Sequence, residues 1–388
     1  MLWFAALTLL TAPEPQPIPT GLDLLYGDRV PLGADGEPQI AIGLARGERR
    51  LDIVTERARL DFFQDGVLRS AQPRRGARIR VSVIESEPAA RRFHLDVGGV
   101  AFNDEARLTE AVRDWESKGF KPEVLQKGSA VGIRGRMIDT RHLRIVLPAK
   151  SRRAAKALAE RVYRATGARP TVDSRLLTLP WANLRVTVDG APLGTATSYV
   201  RITPIDNQTL KVEKLQFGRG FSHSGREDRS YRGELYAVVD AAGKLALVNV
   251  LGSEDLLRGV VPSELFASAH PHALKAQSVA ARNQLFAKLG HRHHSDPFHL
   301  CSEQHCQVYT GVNREDPRTD AAIAATRGEL IFRRGQLVDT VYSSTCGGHT
   351  ENNDTVWGNA ADPALRGRPD FNVTARPDLA SFVDGIDE

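Results

Sequence analysis

The chain has 388 residues, of which 41% are apolar and 26% charged, a composition that is ordinary for folded proteins and excludes wholesale disorder. At roughly 100 to 200 residues per domain, this length predicts about two or three domains. The 52 Lys and Arg residues exceed the 47 Asp and Glu residues and give a formal charge of +5, a mild excess that favours anionic surfaces without specifying a partner. The sequence has no basic stripe with interleaved aromatic residues, so nucleic-acid binding is not expected.

The N-terminus, MLWFAALTLLTAPEPQP, has the pattern of a secretory signal peptide. An apolar run shorter than the about 20 residues needed to span a bilayer is followed by small residues and then by a Pro-rich polar stretch. We therefore predict a signal peptide over residues 1–20; the alternative is a buried N-terminal strand. No later run reaches spanning length. The mature protein is thus expected to be secreted to the periplasm or cell envelope and to lack a transmembrane segment.

Short alternating runs such as QIAIGLA, RLDIVTE and RIRVSVI, separated by Gly, Asp and Pro, predict a β-rich region over residues 21–90. The pattern then becomes helical. Leu108 and Trp115 recur at helical spacing, and a second helix is predicted between Ser151, as its N-cap, and Gly167, just past its end.

Residues 91–175 place these two helices in a β-α-β, β-α-β order, which implies an internal duplication. This order, together with the stretch LRIVLPAKSRRAAKALAERVYRATG, resembles the SPOR domain, a small four-stranded sheet with two helices that binds peptide-stripped peptidoglycan strands. The resemblance implies a module that holds glycan. The alternative is an α+β insert without a ligand.

Strands return in runs such as LRVTVDG, YVRITPI and KLALVNV, and a long helix follows them. Pro271 suits the first turn of this helix, and Gly290 lies just past its last turn. Leu274, Ala281 and Leu285 lie on one face and point to a core. We therefore expect a packed central helix.

Four motifs follow one another over residues 231–358 and resemble the SpoIID/LytB family of cell-wall proteins. They are YRGELYAVV with LALVNVLGSEDLLRGVVPSEL, then ALKAQSVAAR, then LCSEQHCQVYTG and finally YSSTCGGHTENNDTVWG. The resemblance implies a lytic transglycosylase that cleaves the bond between N-acetylmuramic acid and N-acetylglucosamine in peptide-stripped glycan strands and leaves a 1,6-anhydro product. We assign the SpoIID-type catalytic domain to residues 176–370 and a polar tail to residues 371–388.

The predicted fold class is therefore α+β. It comprises a β-rich N-terminal part, a small ββαα SPOR-like module and a C-terminal SpoIID domain in which a long central helix packs on antiparallel strands. The chain departs from the family pattern at two places. Leu256 and Leu257 stand where the family often has Tyr-Leu, and Asn283 and Gln284 replace a hydroxyl and an aromatic residue. These departures concern substrate detail more than reaction type.

Glu264, in VVPSEL, stands at the position of the family's catalytic glutamate. Hydrolytic glycosidases generally use two carboxylates. In a transglycosylase the C6 hydroxyl of the sugar attacks, so one glutamate can first donate a proton and then accept one. Such a glutamate should have a pKa raised by apolar neighbours. The alternative is an acid in the first turn of a helix that is stabilised by the helix macrodipole.

The three cysteines, Cys301, Cys306 and Cys346, lie in the last quarter of the chain, beside several histidines. Cys301 and Cys306, with His294 and His305, predict one structural Zn²⁺, because two thiolates and one or two imidazoles can surround a tetrahedral ion. The SpoIID resemblance implies the same, since some members carry zinc in this region. The alternatives are a Cys301–Cys306 disulfide and free thiols. The proposed chemistry requires no metal, and Cys346 has no assigned role.

Residues 342–358 predict a glycan-binding wall opposite Glu264. The hydroxyl groups and the backbone opened by glycines suit hydrogen bonds to sugars, and the aromatic rings suit contact with sugar faces. The alternative is a turn whose hydroxyls bond only to loop backbone. With the polar positions of the long helix, the predicted substrate contacts are Lys275, Gln277, Arg282, Tyr342, Ser344, Thr345, Gly347, Gly348, Glu351 and Trp357.

The resemblance leaves an alternative function open, that of a LytB-like protein that binds glycan and enhances an N-acetylmuramoyl-L-alanine amidase without cleaving anything itself. The two functions differ at Glu264, whose carboxyl group only the enzyme needs. A glycan-binding scaffold is a third alternative. The expected partners are peptidoglycan glycan strands and a cell-wall amidase.

Overall fold

The computed structural model describes residues 22–27, 29–133, 136–218, 222, 224–357 and 361–369. The predicted signal peptide and the predicted polar tail lie outside these residues. The described part is a strand-rich α+β fold, which confirms the predicted class. None of its helices has the length and apolar character that crossing a membrane requires.

The strands are numbered in chain order. They are β1 (Gln39–Glu48), β2 (Arg50–Thr55), β3 (Ala58–Gln64), β4 (Val67–Ala71), β5 (Ala77–Glu87), β6 (Arg91–Ala101), β7 (Glu123–Lys127), β8 (Ala130–Ile133), β9 (Arg136–Asp139), β10 (His142–Ala149), β11 (Thr171–Leu176), β12 (Trp181–Val188), β13 (Ala191–Thr197), β14 (Tyr199–Pro204), β15 (Leu210–Phe217), β16 (Gly225–Tyr231), β17 (Glu234–Val239), β18 (Leu245–Gly252), β19 (Leu300–Cys301), β20 (Phe332–Arg333) and β21 (Gln336–Leu337). The helices are α1 (Leu22–Tyr26), α2 (Glu105–Ser117), α3 (Arg152–Thr166), α4 (Ser253–Glu264), α5 (Pro271–Lys288), α6 (Pro317–Ala325) and α7 (Asn353–Trp357), with a 3₁₀ turn at Gly311–Arg314.

Two large sheets share one hydrophobic core. The first has the strand order β19-β1-β18-β17-β14-β3-β4 and the second β13-β12-β5-β2-β15-β16. Neighbouring strands run antiparallel, apart from the short β1–β19 pair, which is parallel. The shared cluster contains Ile40 and Leu60 from the first sheet, Ile79 and Leu184 from the second, and Leu285 from α5. The core therefore reaches from both sheets to the helical part.

The strands of residues 39–87 are interleaved with those of residues 181–252 in both large sheets. β1 pairs with β18, and β5 pairs with β12. The predicted β-rich region of residues 21–90 thus shares its sheets with the later part of the chain and has no large sheet of its own. Alternation in the sequence reports which face of a strand is buried but not which distant strand it pairs with.

Residues 91–176 form a third sheet, in the order β11-β6-β10-β7, against which α2 and α3 pack. The elements follow one another as β-α-β-β-α-β, with the β8–β9 hairpin inserted before β10. Ser151 caps α3 by accepting a hydrogen bond from the Ala154 N–H at 3.1 Å, and Gly167 ends it in the left-handed region at φ 72°. Both predicted ends of this helix are confirmed.

The long helix α5 begins at Pro271 and ends just before Gly290, as predicted. The expectation that it packs on antiparallel strands is wrong in detail, because α5 packs mainly against α4 and α6. Its buried half carries Arg282 and Asn283, whose side chains bond to Glu254 of α4 and to backbone carbonyls around the β20–β21 hairpin. An apolar sheet face would leave these polar groups unpaired, at a substantial energetic cost.

Candidate active site

Glu264 is the last residue of α4, and its side chain is half-buried. This contradicts the alternative that Glu264 is a first-turn acid, because the first turn of α4 holds Glu254 and Asp255. The C-terminal end of a helix carries the negative end of its macrodipole, which disfavours a charged carboxylate. The fold therefore places Glu264 where ionisation gains no support from the helix.

Two groups contact the carboxyl group of Glu264. The backbone N–H of Val308 donates to Oε1 at 2.7 Å, and the hydroxyl of Tyr342 forms a second hydrogen bond. Burial raises the pKa of Glu264, and it outweighs the opposing effects of the Val308 bond, the positive charge of Lys288 and the Tyr342 bond. Glu264 therefore keeps its proton to a higher pH than an exposed glutamate does.

Gln307 holds Tyr342 beside Glu264. Its Nε2 donates to the Tyr342 hydroxyl oxygen and to the Ala281 carbonyl of α5, both at 3.1 Å. Burial and the adjacent Glu264 raise the pKa of Tyr342, so its hydroxyl stays protonated and able to donate. The sequence predicted an apolar platform at Tyr342 and does not select Gln307, although Gln307 follows Cys306 directly in LCSEQHCQVYTG.

Lys288 and Asp339 extend this polar cluster. Lys288 is buried at the end of α5, and its Nζ donates to the Cys306 carbonyl at 2.6 Å. Burial lowers the pKa of Lys288 and raises that of Asp339, whose Oδ1 has no hydrogen-bond partner among the described residues. Sequence reasoning misses both groups, because only tertiary packing brings a helix end and a loop together here.

The three predicted contacts on α5 have different surroundings. Lys275 is exposed, and Gln277 is half-buried with an Nε2 that has no partner in the described part of the chain. Arg282 is only 1% exposed and forms two hydrogen bonds of 2.8 Å with the carboxylate of Glu254. Arg282 therefore joins α5 to α4 inside the core, which is a structural role and not the expected contact with a substrate.

The predicted glycan-binding wall lies largely at the surface. Its exposed members are Ser344, Thr345, Gly347, Glu351 and Trp357, whereas Gly348 is half-buried. Gly347 and Gly348 both adopt positive φ values, 66° and 90°, which favour glycine. The Gly347 N–H donates to Thr345 Oγ1 at 3.3 Å, so this hydroxyl does serve the loop backbone. Of the predicted wall, the described contacts bring Tyr342 alone to Glu264.

Asn353 anchors the end of this segment and is not among the sequence-predicted residues. Its Oδ1 accepts hydrogen bonds from the Asp362 N–H at 2.8 Å and from Arg366 Nη2 at 2.6 Å. Asn353 is buried although its neighbours are polar. The asparagine thus fixes the loop that carries exposed Trp357 on α7.

A second cluster brings together one ligand atom from each of His293, Cys301, His305 and Cys306. These atoms all lie within 4.8 Å of one another. His293 Nε2 is 3.3 Å from Cys306 Sγ, and His305 Nδ1 is 3.6 Å from Cys306 Sγ and 3.8 Å from Cys301 Sγ. The donor set of two thiols and two imidazoles fits a tetrahedral structural Zn²⁺.

The structure corrects one predicted ligand, because His293 occupies the place assigned to His294. His293 adopts a left-handed φ of 58°, and its ring, with no ligand atom of His294, belongs to the group around the thiols. His305 does join Cys306 in the cluster, since the chain turns sharply there and the Cys306 N–H donates to Glu303 O at 2.9 Å.

The surroundings of the cluster favour metal ligation. Asp296 Oδ2 lies 2.9 Å from His293 Nδ1 and so orients the ring with Nε2 toward the sulfurs. A hydrogen bond from Cys306, with further ones from His293 and His305, lowers the pKa of the Cys301 thiol. Cys301, Cys306 and Cys346 form no disulfide bond with one another. A cavity of about 320 Å³ opens beside this cluster and is lined by His293, Cys301 and His305.

The comparisons with known proteins concern mainly this C-terminal half. The sequence model of the SpoIID family, described as Stage II sporulation protein, matches residues 241–332. The chain is 37% identical over 101 residues to the Amidase enhancer of Bacillus subtilis, covering 26% of this chain and 13% of that protein. It is 29% identical over 121 residues to Stage II sporulation protein D of the same organism, covering 28% and 35%. An uncharacterized protein of Brachyspira hyodysenteriae is 33% identical over 148 residues, covering 38% and 39%.

Both α4, with Glu264, and the Cys/His cluster lie inside the region that the SpoIID model matches, so this part of the chain is similar to the SpoIID/LytB family. The matches span well under half the length of each of these relatives. A solved structure of a putative exported protein from Burkholderia pseudomallei aligns with 50% of this chain at 16% identity and a TM-score of 0.21, which is too low to define a shared fold.

Proposed function

We propose that this protein is a peptidoglycan lytic transglycosylase that cleaves between N-acetylmuramic acid and N-acetylglucosamine in peptide-stripped glycan strands. The observation that carries the proposal is Glu264, a half-buried carboxyl group with a raised pKa at the end of α4. No arginine or lysine forms an ion pair with it among the described residues. Such a group suits proton donation better than charge pairing.

The reaction balances with this single carboxyl group. Protonated Glu264 donates its proton to the glycosidic oxygen as the bond between that oxygen and C1 of N-acetylmuramic acid breaks. The C6 hydroxyl of the same sugar then forms a bond to C1, and its proton passes to the Glu264 carboxylate. Between these steps the Val308 N–H and the Tyr342 hydroxyl stabilise the carboxylate by hydrogen bonds.

The exposed polar and aromatic side chains around this site are proposed to bind the glycan. Within the segment after Tyr342, Ser344 and Glu351 are available for hydrogen bonds and Trp357 for contact with a sugar face. Lys275 on α5 is exposed as well. The module of residues 91–175 is proposed to act as a SPOR-like glycan holder, and the protein to act in the periplasm or cell envelope after removal of a signal peptide.

The Cys/His cluster is proposed to hold one structural Zn²⁺ through His293, Cys301, His305 and Cys306. When bound, the ion would tie the loop after α5 to the loop that carries Val308. Val308 lies two residues after Cys306, and its N–H donates to Glu264. The cluster would therefore hold in place the backbone group that contacts the candidate catalytic acid. Zinc is proposed as a structural element that takes no part in the sugar chemistry.

One observation favours a second candidate function. The matched relative named Amidase enhancer is 37% identical over its aligned region. A protein of this kind would bind glycan and stimulate a cell-wall amidase without using Glu264 as an acid. The two candidates therefore make opposite predictions for a Glu264→Gln variant.

The test incubates the purified protein with peptide-stripped glycan strands and measures 1,6-anhydro-muramyl ends by mass spectrometry. The wild type should form these ends, and Glu264→Gln should form them at a rate at least about 100-fold lower, the range expected when a general acid is removed. Glu85→Gln makes the same change at an exposed site on β5, outside the module of residues 91–175, and should leave the rate unchanged. Equal product from Glu264→Gln and wild type would overturn the proposal, and strand binding without any product would favour the amidase enhancer.

A further inference from the structure

One face of α3 carries an exposed row of cations. The side of the helix with Ala155, Leu158 and Val162 packs into the core of the module. The exposed cations on and next to the helix are Lys150, Arg152, Arg153, Lys156, Arg161, Arg164 and Arg169. Glu160 is the single acidic residue in this stretch. We call this surface the basic face of α3.

The cations of the basic face are not used in ion pairs. None of the seven pairs with a carboxylate among the described residues, whereas arginines elsewhere, such as Arg144 and Arg232, pair with carboxylates at 2.6 and 2.8 Å. Two of the seven lie over aromatic rings, Arg161 over Phe120 at 5.7 Å and Arg169 over Tyr163 at 5.1 Å. The charges of the seven cations are thus not neutralised by carboxylates of the described residues.

Two of the cations stand where they weaken the helix. Arg152 and Arg153 occupy the first turn of α3, which contains no acidic residue. Each cation at a helix N-terminus is unfavourable by about 0.3–1 kcal/mol, because the macrodipole is positive there. In α2 of the same module the first turn holds Glu105 and the N-cap is Asp104, the arrangement that the dipole favours. Helix stability therefore does not account for Arg152 and Arg153, although Arg164, in the last turn, does favour the helix.

We propose that the basic face of α3 binds a linear phosphodiester polymer without aromatic bases, of the polyol-phosphate kind. The 15 residues of α3 span about 22 Å at 1.5 Å per residue, so the cations form a line and not a pocket. Five of the seven are arginines, whose planar guanidinium groups match phosphate oxygens.

The surface fits other polyanions less well. Tyr163 is the one large hydrophobic side chain exposed on α3, and its ring is covered by Arg169. The helix therefore offers no apolar anchor to insert into a bilayer and no row of rings on which nucleic-acid bases could stack. A flexible polymer that needs phosphate contacts alone follows such a line best. This inference is independent of the chemistry at Glu264.

The test measures binding of the full chain to a fluorescently labelled glycerol-phosphate polymer by anisotropy at increasing salt. Log affinity should fall linearly with log salt concentration, because bound cations are released. The triple variant Arg153→Gln, Lys156→Gln, Arg164→Gln should weaken binding at least about tenfold at low salt and reduce the salt slope by about two. The matched control is the triple variant Arg107→Gln, Arg113→Gln, Lys118→Gln on α2, with the same loss of charge at exposed positions.

The control variant should bind as the wild type does. An equal loss of affinity in both triple variants would show that net charge alone is responsible and would overturn the proposal. Absence of binding by the wild type at low salt would do the same. Parallel titrations use single-stranded DNA and anionic vesicles of phosphatidylglycerol; tighter binding to either one, lost in the α3 variant, would assign the basic face to that other class of partner.

Discussion

Two glutamates on the same helix, Glu254 and Glu264, show opposite ways of burying a carboxyl group. Glu254 stands in the first turn of α4 and receives two hydrogen bonds of 2.8 Å from Arg282, with a longer one of 3.3 Å from the Gly328 N–H. Glu264 ends the same helix and, among the described residues, receives hydrogen bonds from the Val308 N–H and the Tyr342 hydroxyl.

The difference lies in charge compensation. Glu254 is paired with the guanidinium of Arg282 and stands at the positive end of the helix dipole. Glu264 has neither, and burial raises its pKa. A carboxyl group in an ion pair stabilises the fold, whereas one that is buried without an ion pair keeps a proton that it can donate. The comparison thus separates a structural acid from a candidate catalytic acid within one helix.

The largest expected effect comes from making the same change at both ends of α4. Glu254→Gln leaves the guanidinium of Arg282 buried without a counter-charge, and we expect it to lower the free energy of unfolding by about 3–5 kcal/mol. Glu264→Gln should change it by less than about 1 kcal/mol at acidic pH, because the amide replaces a protonated carboxyl group. Urea denaturation of both variants and the wild type measures the difference.

The pH dependence of this pair of variants has a defined sign. The raised pKa of Glu264 contributes stability that is present below its unfolded value and is lost as pH rises through its folded value. The Gln variant does not titrate, so its stability relative to wild type should increase with pH over that window. Equal destabilisation by both variants at every pH would contradict the distinction between a structural acid at Glu254 and an acid with a raised pKa at Glu264.

The second prediction concerns the loop that supplies the Val308 N–H to Glu264. If His293, Cys301, His305 and Cys306 hold zinc, Asp296→Asn should weaken zinc affinity by about 10–100-fold, because Asp296 orients His293. Competition with a chromophoric chelator measures this affinity. Asp114→Asn, at an exposed position on α2, is the matched control and should leave it unchanged. An unchanged zinc affinity in Asp296→Asn would contradict the role of Asp296 in orienting His293.

The sequence predicts well the features that depend on neighbouring residues. The ends of α3 follow from Ser151 and Gly167, because a hydroxyl cap and a left-handed glycine act within one turn. Cys301, Cys306 and His305 are also close in the chain, and all three join the cluster. His293 and His294 look equivalent in HRHHSD, and only the left-handed backbone at His293 distinguishes them.

Other features depend on contacts between distant segments. The motif around Glu264 is visible in the sequence, but the bond to Val308 joins residues 44 positions apart, and that between Gln307 and Tyr342 joins residues 35 apart. The sequence predicts the same role for Lys275 and Arg282 of α5, yet Arg282 is paired in the core and Lys275 is exposed. Pairing of residues 39–87 with residues 181–252 is likewise set by tertiary packing.

The smallest expected effect comes from removing the hydrogen bond between the Tyr342 hydroxyl and Glu264. The Tyr342 hydroxyl donates to the Glu264 carboxyl group and holds its pKa below the value that burial alone would give. Tyr342→Phe removes this bond and keeps the ring, so the pKa of Glu264 should rise further above its usual value. If protonated Glu264 is the acid, the alkaline limb of the pH–rate profile should move to higher pH. A Tyr342→Phe variant with lower activity but an unmoved alkaline limb would show that this hydroxyl positions the sugar and leaves the proton of Glu264 unaffected.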